Sequence, residues 1–293
     1  MERIKTIFRY MLKEYYRIQI IVDCWIWSLF GYTTMIGFWG IGDCCYELVY
    51  LDEYKKKYSQ KIRVIAYKKK TNVFSFYDSI DKISVVGEKK ARYLAKYGDY
   101  YSKNKNFILF IGHYRFSGNF PKKMLSAYKL ENSANITYPI VCHKEVDVVA
   151  NSILVNLNSH CFKSNIIESF IIRLINYALQ KEIYVYINSP VPNDYKDMSG
   201  VEEVFWDLEY FYNAVQKVKC VISIRTGLLD FIANSKANII CLYDKTEYGK
   251  RLFDVFNLNS WQKNSDCIHQ FFVEDVLPSQ IVADYCLSDK NPE

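Results

Sequence analysis

Proline and glycine are scarce in this chain, at 6 and 11 of 293 residues. With an apolar share of 50%, that balance excludes collagen-like repeats, low complexity and disorder. Only four histidines occur, His113, His143, His160 and His269, too far apart for zinc-ligand spacing, and no HExxH is present. A Walker-type glycine loop and a GxSxG elbow are absent too, which disfavours P-loop nucleotide hydrolysis and serine hydrolysis. There is no DxD triplet of the kind a single-sheet, metal-dependent transferase uses, so no bound metal is expected. The nine cysteines show no CxxC, and all but Cys44-Cys45 stand singly. Reduced thiols and a cytoplasmic location are therefore expected. Charge of one sign is also missing: 38 basic against 32 acidic residues leave +6, too mild and dispersed for a nucleic-acid partner. An anionic small molecule or an anionic membrane surface is compatible with it.

What is present is a chain long enough for two lobes of about 120–150 residues, each burying its own core. The first 35 residues read as a basic amphipathic helical segment. Lys5, Arg9, Lys13 and Arg17 recur every fourth residue, while Ile4, Phe8, Met11, Tyr15 and Ile18 fall on a separate face. No short apolar stretch ending in a small-residue cleavage site marks a secretory signal. Cys24 to Gly42 is uncharged over the length of a membrane span. Asp23 and Asp43 bracket it, however, and Gly31, Gly37, Gly40 and Thr33-Thr34 interrupt it. A surface helix followed by a buried strand is the better reading.

From there, short apolar strands alternate with helices. Thr34–Gly42, Lys61–Tyr67, Lys82–Val86 and Phe107–Gly112 are expected strands, and Cys44–Lys57 and Lys89–Tyr97 are expected helices, making a lobe over 36–145. The pattern breaks near Pro139–Val149 and restarts. Strands are expected at Ser152–Leu157, Ile183–Asn188, Cys220–Ile224 and Ala237–Tyr243, with helices at Ser164–Gln180, Glu202–Val218 and from Leu228, making a second lobe over 150–293. The fold class is α/β, two Rossmann-like lobes with a cleft between them. The last residues are expected to pack back on the first lobe.

Two strand exits carry the clearest chemistry. Gly40-Ile41-Gly42-Asp43 lies between a strand and a helix, where glycines allow a tight turn and close approach to a ligand. Asp43 either caps the helix or faces the crevice beyond the strand ends. The pattern lacks a third glycine at Tyr46, so no nicotinamide cofactor is expected. Arg225-Thr226-Gly227-Leu228-Leu229-Asp230 follows a later strand and opens a helix. There a guanidinium, a hydroxyl and backbone N–H groups could together hold a diphosphate, although an ordinary Thr-Gly cap also accounts for it. Asn158, Ser159 and Lys163, in the loop after the second lobe's first strand, are candidates for phosphate or sugar hydroxyls. Asn188, ending the next strand, is a candidate for base or ribose. His113 and Arg115 follow a first-lobe strand and are candidates for an acceptor.

The glycine-aspartate turn after the first strand and the late Thr-Gly helix start resemble the two-lobed GT-B glycosyltransferases, in particular the heptosyltransferase-like and surface-polysaccharide group. That resemblance implies a metal-independent, inverting transfer of a sugar from a nucleotide-diphosphate sugar, with no cofactor, to a glycan or lipid-linked oligosaccharide acceptor. It implies that Asp43 is the base, flanked by Gly40 and Gly42, and that Thr226, Gly227 and Leu228 meet the donor phosphates. The chain departs from the heptosyltransferase pattern, with Arg225 and Asp230 where that group has Asp and His, and with no proline near Leu48-Val49-Tyr50. Arg-Thr-Gly-Leu is closer to the Arg-Ser-Gly-Leu of other surface-polysaccharide transferases. Within the same fold, a sugar-nucleotide epimerase, a pyruvyl transferase and a non-catalytic sugar-nucleotide-binding subunit are the competing readings. If the basic N-terminal helix meets lipid, the protein is peripheral on the inner face of the cell membrane.

Overall fold

The computed structural model describes residues 2–37, 41–67, 71–88, 90, 108–109, 124–126, 128–157, 162–188, 195, 198–258 and 265–287, with the backbone alone at 2–4, 37, 43, 71 and 108–109. Two compact units divide the chain between Ile140 and Val141.

The first unit begins with α1 (Glu2–Leu29), whose inward residues Ile20 and Cys24 are wholly buried. Its C-terminal half is tied down by Arg63, a buried arginine whose Nη2 lies 2.7 Å from Asp23 Oδ2 and whose guanidinium stacks 4.9 Å from the Trp27 ring. The chain then turns at Gly31, φ +79°, a conformation that only glycine adopts without strain. The strands β1 (Tyr32–Gly37), β2 (Lys61–Tyr67), β3 (Lys82–Val86) and β4 (Ile108–Leu109) form a parallel sheet in the order β3-β2-β1-β4. Two short helices, α2 (Ile41–Leu48) and α3 (Leu51–Tyr58), cross from β1 to β2, and α4 (Thr71–Phe74) precedes β3.

Several expected boundaries move. The uncharged stretch after Asp23 divides into the end of α1 and β1, and among the described residues no helix is long and apolar enough to cross a membrane. The single helix expected over Cys44–Lys57 is two, separated at Val49-Tyr50. There Val49 O accepts from Thr137 N at 2.6 Å, and Thr137 Oγ1 accepts from Asp52 N at 3.0 Å, so a remote segment receives the backbone groups freed by the break. The helix expected at Lys89–Tyr97 lies outside the described residues, apart from Lys90.

The second unit opens with residues 141–149, bound to the helix α6 (Leu208–Val215) by its buried Asn213, which donates to Cys142 O and accepts from Lys144 N. Six parallel strands follow: β5 (Ser152–Asn156), β6 (Tyr184–Ile187), β7 (Val201–Glu203), β8 (Cys220–Ile224), β9 (Asn238–Tyr243) and β10 (Ile268–Phe272). Their order is β10-β9-β8-β5-β6-β7. Every residue of β5 and β8 is buried, as near-continuous apolar runs in a doubly covered parallel sheet require. Between β5 and β6 runs α5 (Asn165–Gln180), capped by Ser164 and burying Ile167, Phe170, Ile171, Leu174, Ile175 and Ala178. This i, i+3, i+4 stripe contributes about 1.5–3 kcal/mol for each large side chain removed from water.

The helix expected from Glu202 begins only at Leu208, capped by Asp207, because Val201–Glu203 pairs with β6 as an edge strand. The C-terminal α9 (Pro278–Ile281) packs against α5 of its own unit, and the last residues, expected to return to the first lobe, lie outside the described residues from 288 onward.

Candidate functional site

Both sheets are built from the same ordering rule. Counted from its first strand, each has strands two and three on one side and the fourth on the other, and in the second unit this continues to the full 3-2-1-4-5-6 order. Connections therefore leave β5 and β8 in opposite directions, opening a crevice at their carboxyl ends, the usual ligand position in open α/β sheets. At this point Asn156 Nδ2 donates to Ser223 Oγ at 3.0 Å, and Ser223 Oγ donates in turn to Asn156 O at 3.1 Å. This buried polar bridge between the two diverging strands was not among the sequence candidates. Nothing short of the strand order distinguishes an Asn and a Ser inside apolar runs.

Beyond β8 the chain enters α7 (Gly227–Ile232). Thr226 is its extended N-cap, and its Oγ1 accepts from Leu228 N at 3.0 Å. The geometry of Arg225 corrects the expectation of an open guanidinium grip. Nη2 lies 2.6 Å from Asp230 Oδ1 and Nη1 3.0 Å from Asp230 Oδ2, so the bidentate face is occupied by a carboxylate of its own helix. Nη1 also donates to Thr226 O at 2.7 Å and Nε to Phe256 O at 3.0 Å. Asp230 is likewise turned inward, 3% exposed, rather than toward a donor. The pair is a buckle. It holds the first turn of α7 to Phe256, the residue that ends α8 (Glu247–Val255). Below it, burial pushes the Cys241 thiol up to about 12, although Arg225 nearby works in the opposite direction.

A second turn at the same sheet end was missed by sequence reasoning. Asp244 follows β9 and is 2% exposed. Its Oδ1 accepts from Thr246 N at 3.2 Å and from Thr246 Oγ1, while Thr246 Oγ1 caps α8 by accepting from Gly249 N at 3.1 Å. Asp-x-Thr before a helix was the available signal.

Of the other candidates, Asn188 follows β6, its N–H bonded to Val155 O at 2.9 Å, which places it on the same sheet end as Arg225. Lys163 is exposed just before the Ser164 cap of α5. Asn158 and Ser159 lie outside the described residues, as do Gly40, His113 and Arg115. Gly42 and Asp43 fall in the first turn of α2, which starts at Ile41, so Asp43 is the third residue of the helix and not its cap. Its side chain is outside the described residues. Among the described residues, no group of three or more His, Cys, Asp or Glu is placed to hold a metal ion.

These two Rossmann-like units define the GT-B fold. The chain is similar to E. coli ADP-heptose LPS heptosyltransferase II, at 9% identity and a TM-score of 0.61 over 85% of this chain and 96% of that one. A glycosyl transferase family 9 structure from Veillonella parvula is similar at 10% identity, with a TM-score of 0.58 over 84% of this chain and 86% of that one. An E. coli heptosyltransferase solved with ADP is similar at 11% identity, with a TM-score of 0.54 over 86% and 97%. At such identities the likeness is one of fold. No family model matches the sequence, and no curated protein does.

Proposed function

We propose that this protein is a glycosyltransferase of the surface-polysaccharide type that transfers a sugar from a nucleotide-diphosphate sugar to a glycan or lipid-linked acceptor. The observation that carries this reading is the coincidence of the 3-2-1-4-5-6 crevice with the Thr226-Gly227 helix start at the carboxyl end of β8. In it, the donor diphosphate rests against the backbone of Thr226, Gly227 and Leu228, with Lys163, Asn158 and Ser159 from the loop after β5 and Asn188 from the end of β6. Arg225 and Asp230 hold that turn in shape. Negative charge building on the leaving diphosphate is met by preorganised backbone donors, the electrostatic contribution such transfers depend on. Asp43, after the first strand of the other unit, deprotonates the acceptor hydroxyl for inverting displacement. His113, Arg115, Gly40 and Gly42 belong to the acceptor side. This reading calls for no metal and no resident cofactor.

The test is calorimetry of the purified protein against UDP-, GDP-, ADP-, CMP- and dTDP-sugars, followed by hydrogen exchange with the best of them. One preferred nucleotide that slows exchange over residues 224–230 is the expected outcome. Binding to none of them would sink the donor assignment.

A further inference from the structure

α1 presents to solvent an apolar face that its own unit does not cover. Phe8, Met11, Ile18, Val22, Trp25 and Leu29 are all exposed, Phe8 by 67% and Leu29 by 66%. At ~100° per residue they line one side of the helix along about 32 Å. Over the C-terminal half the opposite side is engaged, since Ile20 and Cys24 are buried and Asp23 and Trp27 are held by Arg63. The stripe is therefore fixed in place there and faces outward. An uncovered face this long exceeds the scattered apolar exposure of an ordinary surface.

We infer that this face seats the protein on an anionic lipid bilayer, with α1 lying in the interfacial plane. Charge selects the partner. Lys5, Arg9, Lys13 and Arg17 recur along the N-terminal half, and the two acids whose side chains are described are neutralised: Glu14 by Arg17 at 2.8 Å and Asp23 by Arg63 at 2.7 Å. These bases lie on the side of the helix away from the stripe, so they act on an acidic headgroup layer through the net positive charge of the helix and not by direct contact. Aromatic residues on the stripe, Phe8, Tyr15 and Trp25, suit the boundary between headgroup and acyl chain. Self-pairing is less well served. A seam through Phe8, Met11, Tyr15, Ile18, Val22, Trp25 and Leu29 is flanked by Leu12, Gln19 and Ile26 on one side and by Glu14, Ile21 and Ser28 on the other, and the one charge among them, Glu14, is already paired with Arg17, which leaves little to set register between two copies. No helix among the described residues is apolar and long enough to span, so the contact is one of surface seating.

This docking does not rest on the transferase reading. It is measured without any sugar nucleotide, so failure of either leaves the other standing. The full chain is sedimented with phosphatidylcholine vesicles, with and without phosphatidylglycerol. The expected result is binding that depends on phosphatidylglycerol, falls about tenfold for Lys5→Gln with Arg9→Gln, and falls about a hundredfold for Phe8→Gln, Ile18→Gln and Trp25→Gln together. In case the triple variant folds poorly, a second measurement uses the wild type. Brominated lipid should quench its tryptophan fluorescence, and Trp25→Phe should remove that quenching. Absence of vesicle binding overturns the inference, as does unchanged binding by a folded triple variant. Light scattering that shows a dimer, dissociated by the triple variant, overturns it in favour of a second copy.

Discussion

The guanidinium of Arg225 and the carboxylate of Asp230 meet in a buried bidentate pair, their side chains 5% and 2% exposed, at the entrance to α7. Removing one member leaves the other charge buried without its counter-ion. Asp230→Ala should cost about 3–5 kcal/mol of stability, whereas Arg225→Met with Asp230→Leu should recover most of it. Urea denaturation of the three proteins checks this. An Asp230→Ala midpoint equal to wild type would show that the pair is not the buckle described.

Gly249 packs its α-carbon against the Asp244 turn, and a Cβ there would collide with the Asp244 carbonyl oxygen and carboxylate. A main-chain carbonyl tied into a capping turn cannot step aside as a flexible side chain can. Gly249→Ala is expected to destabilise by about 1–3 kcal/mol. A lower melting temperature with unchanged sugar-nucleotide affinity per folded molecule is the anticipated pattern. Equal thermal stability would contradict the turn geometry.

Under the proposed mechanism, Asp43→Asn removes the base and leaves the donor turn of the other unit alone. Turnover should fall about a hundred- to ten-thousand-fold, with the calorimetric Kd for the sugar nucleotide unchanged. Full activity in this variant would remove Asp43 from the reaction.

His269 stacks on Tyr285 at 4.2 Å, and burial holds its imidazole below the ordinary 6.5, with Asp266 opposing the shift. The unfolded chain then takes up the proton more readily than the fold. The contribution is present above about pH 6.5 and is lost as pH falls through the lower folded value. Melting temperatures recorded from about pH 8 to about pH 5 should therefore drop less steeply for His269→Gln than for wild type. Parallel curves would refute the assignment.

Most strands were legible in the sequence because parallel strands buried on both faces are unbroken apolar runs: Cys220–Ile224 is read to the residue, and Ser152–Asn156 to within one. Helix starts were legible where a cap announces them, as at Ser164 and Thr226. Val201–Glu203 was not. Three polar-rich residues form a strand only because β6 lies beside them, and no local pattern reports a neighbour brought in by the fold.

What the residue order determined by itself is the α/β class, the presence of two Rossmann-like halves, the Thr226-Gly227 helix start and the amphipathic character of α1, since periodicity and capping are local. What the tertiary structure decided is the direction in which charges point. Arg225 reads as a free cation until Asp230 comes round one helical turn to meet it and Phe256 offers its carbonyl from a distant helix. The exposed stripe of α1 likewise becomes a surface only once Arg63, from a strand beyond the next two helices, holds the other side of the helix against the sheet. Such pairings depend on contacts between residues far apart in the chain, and those contacts are set by packing.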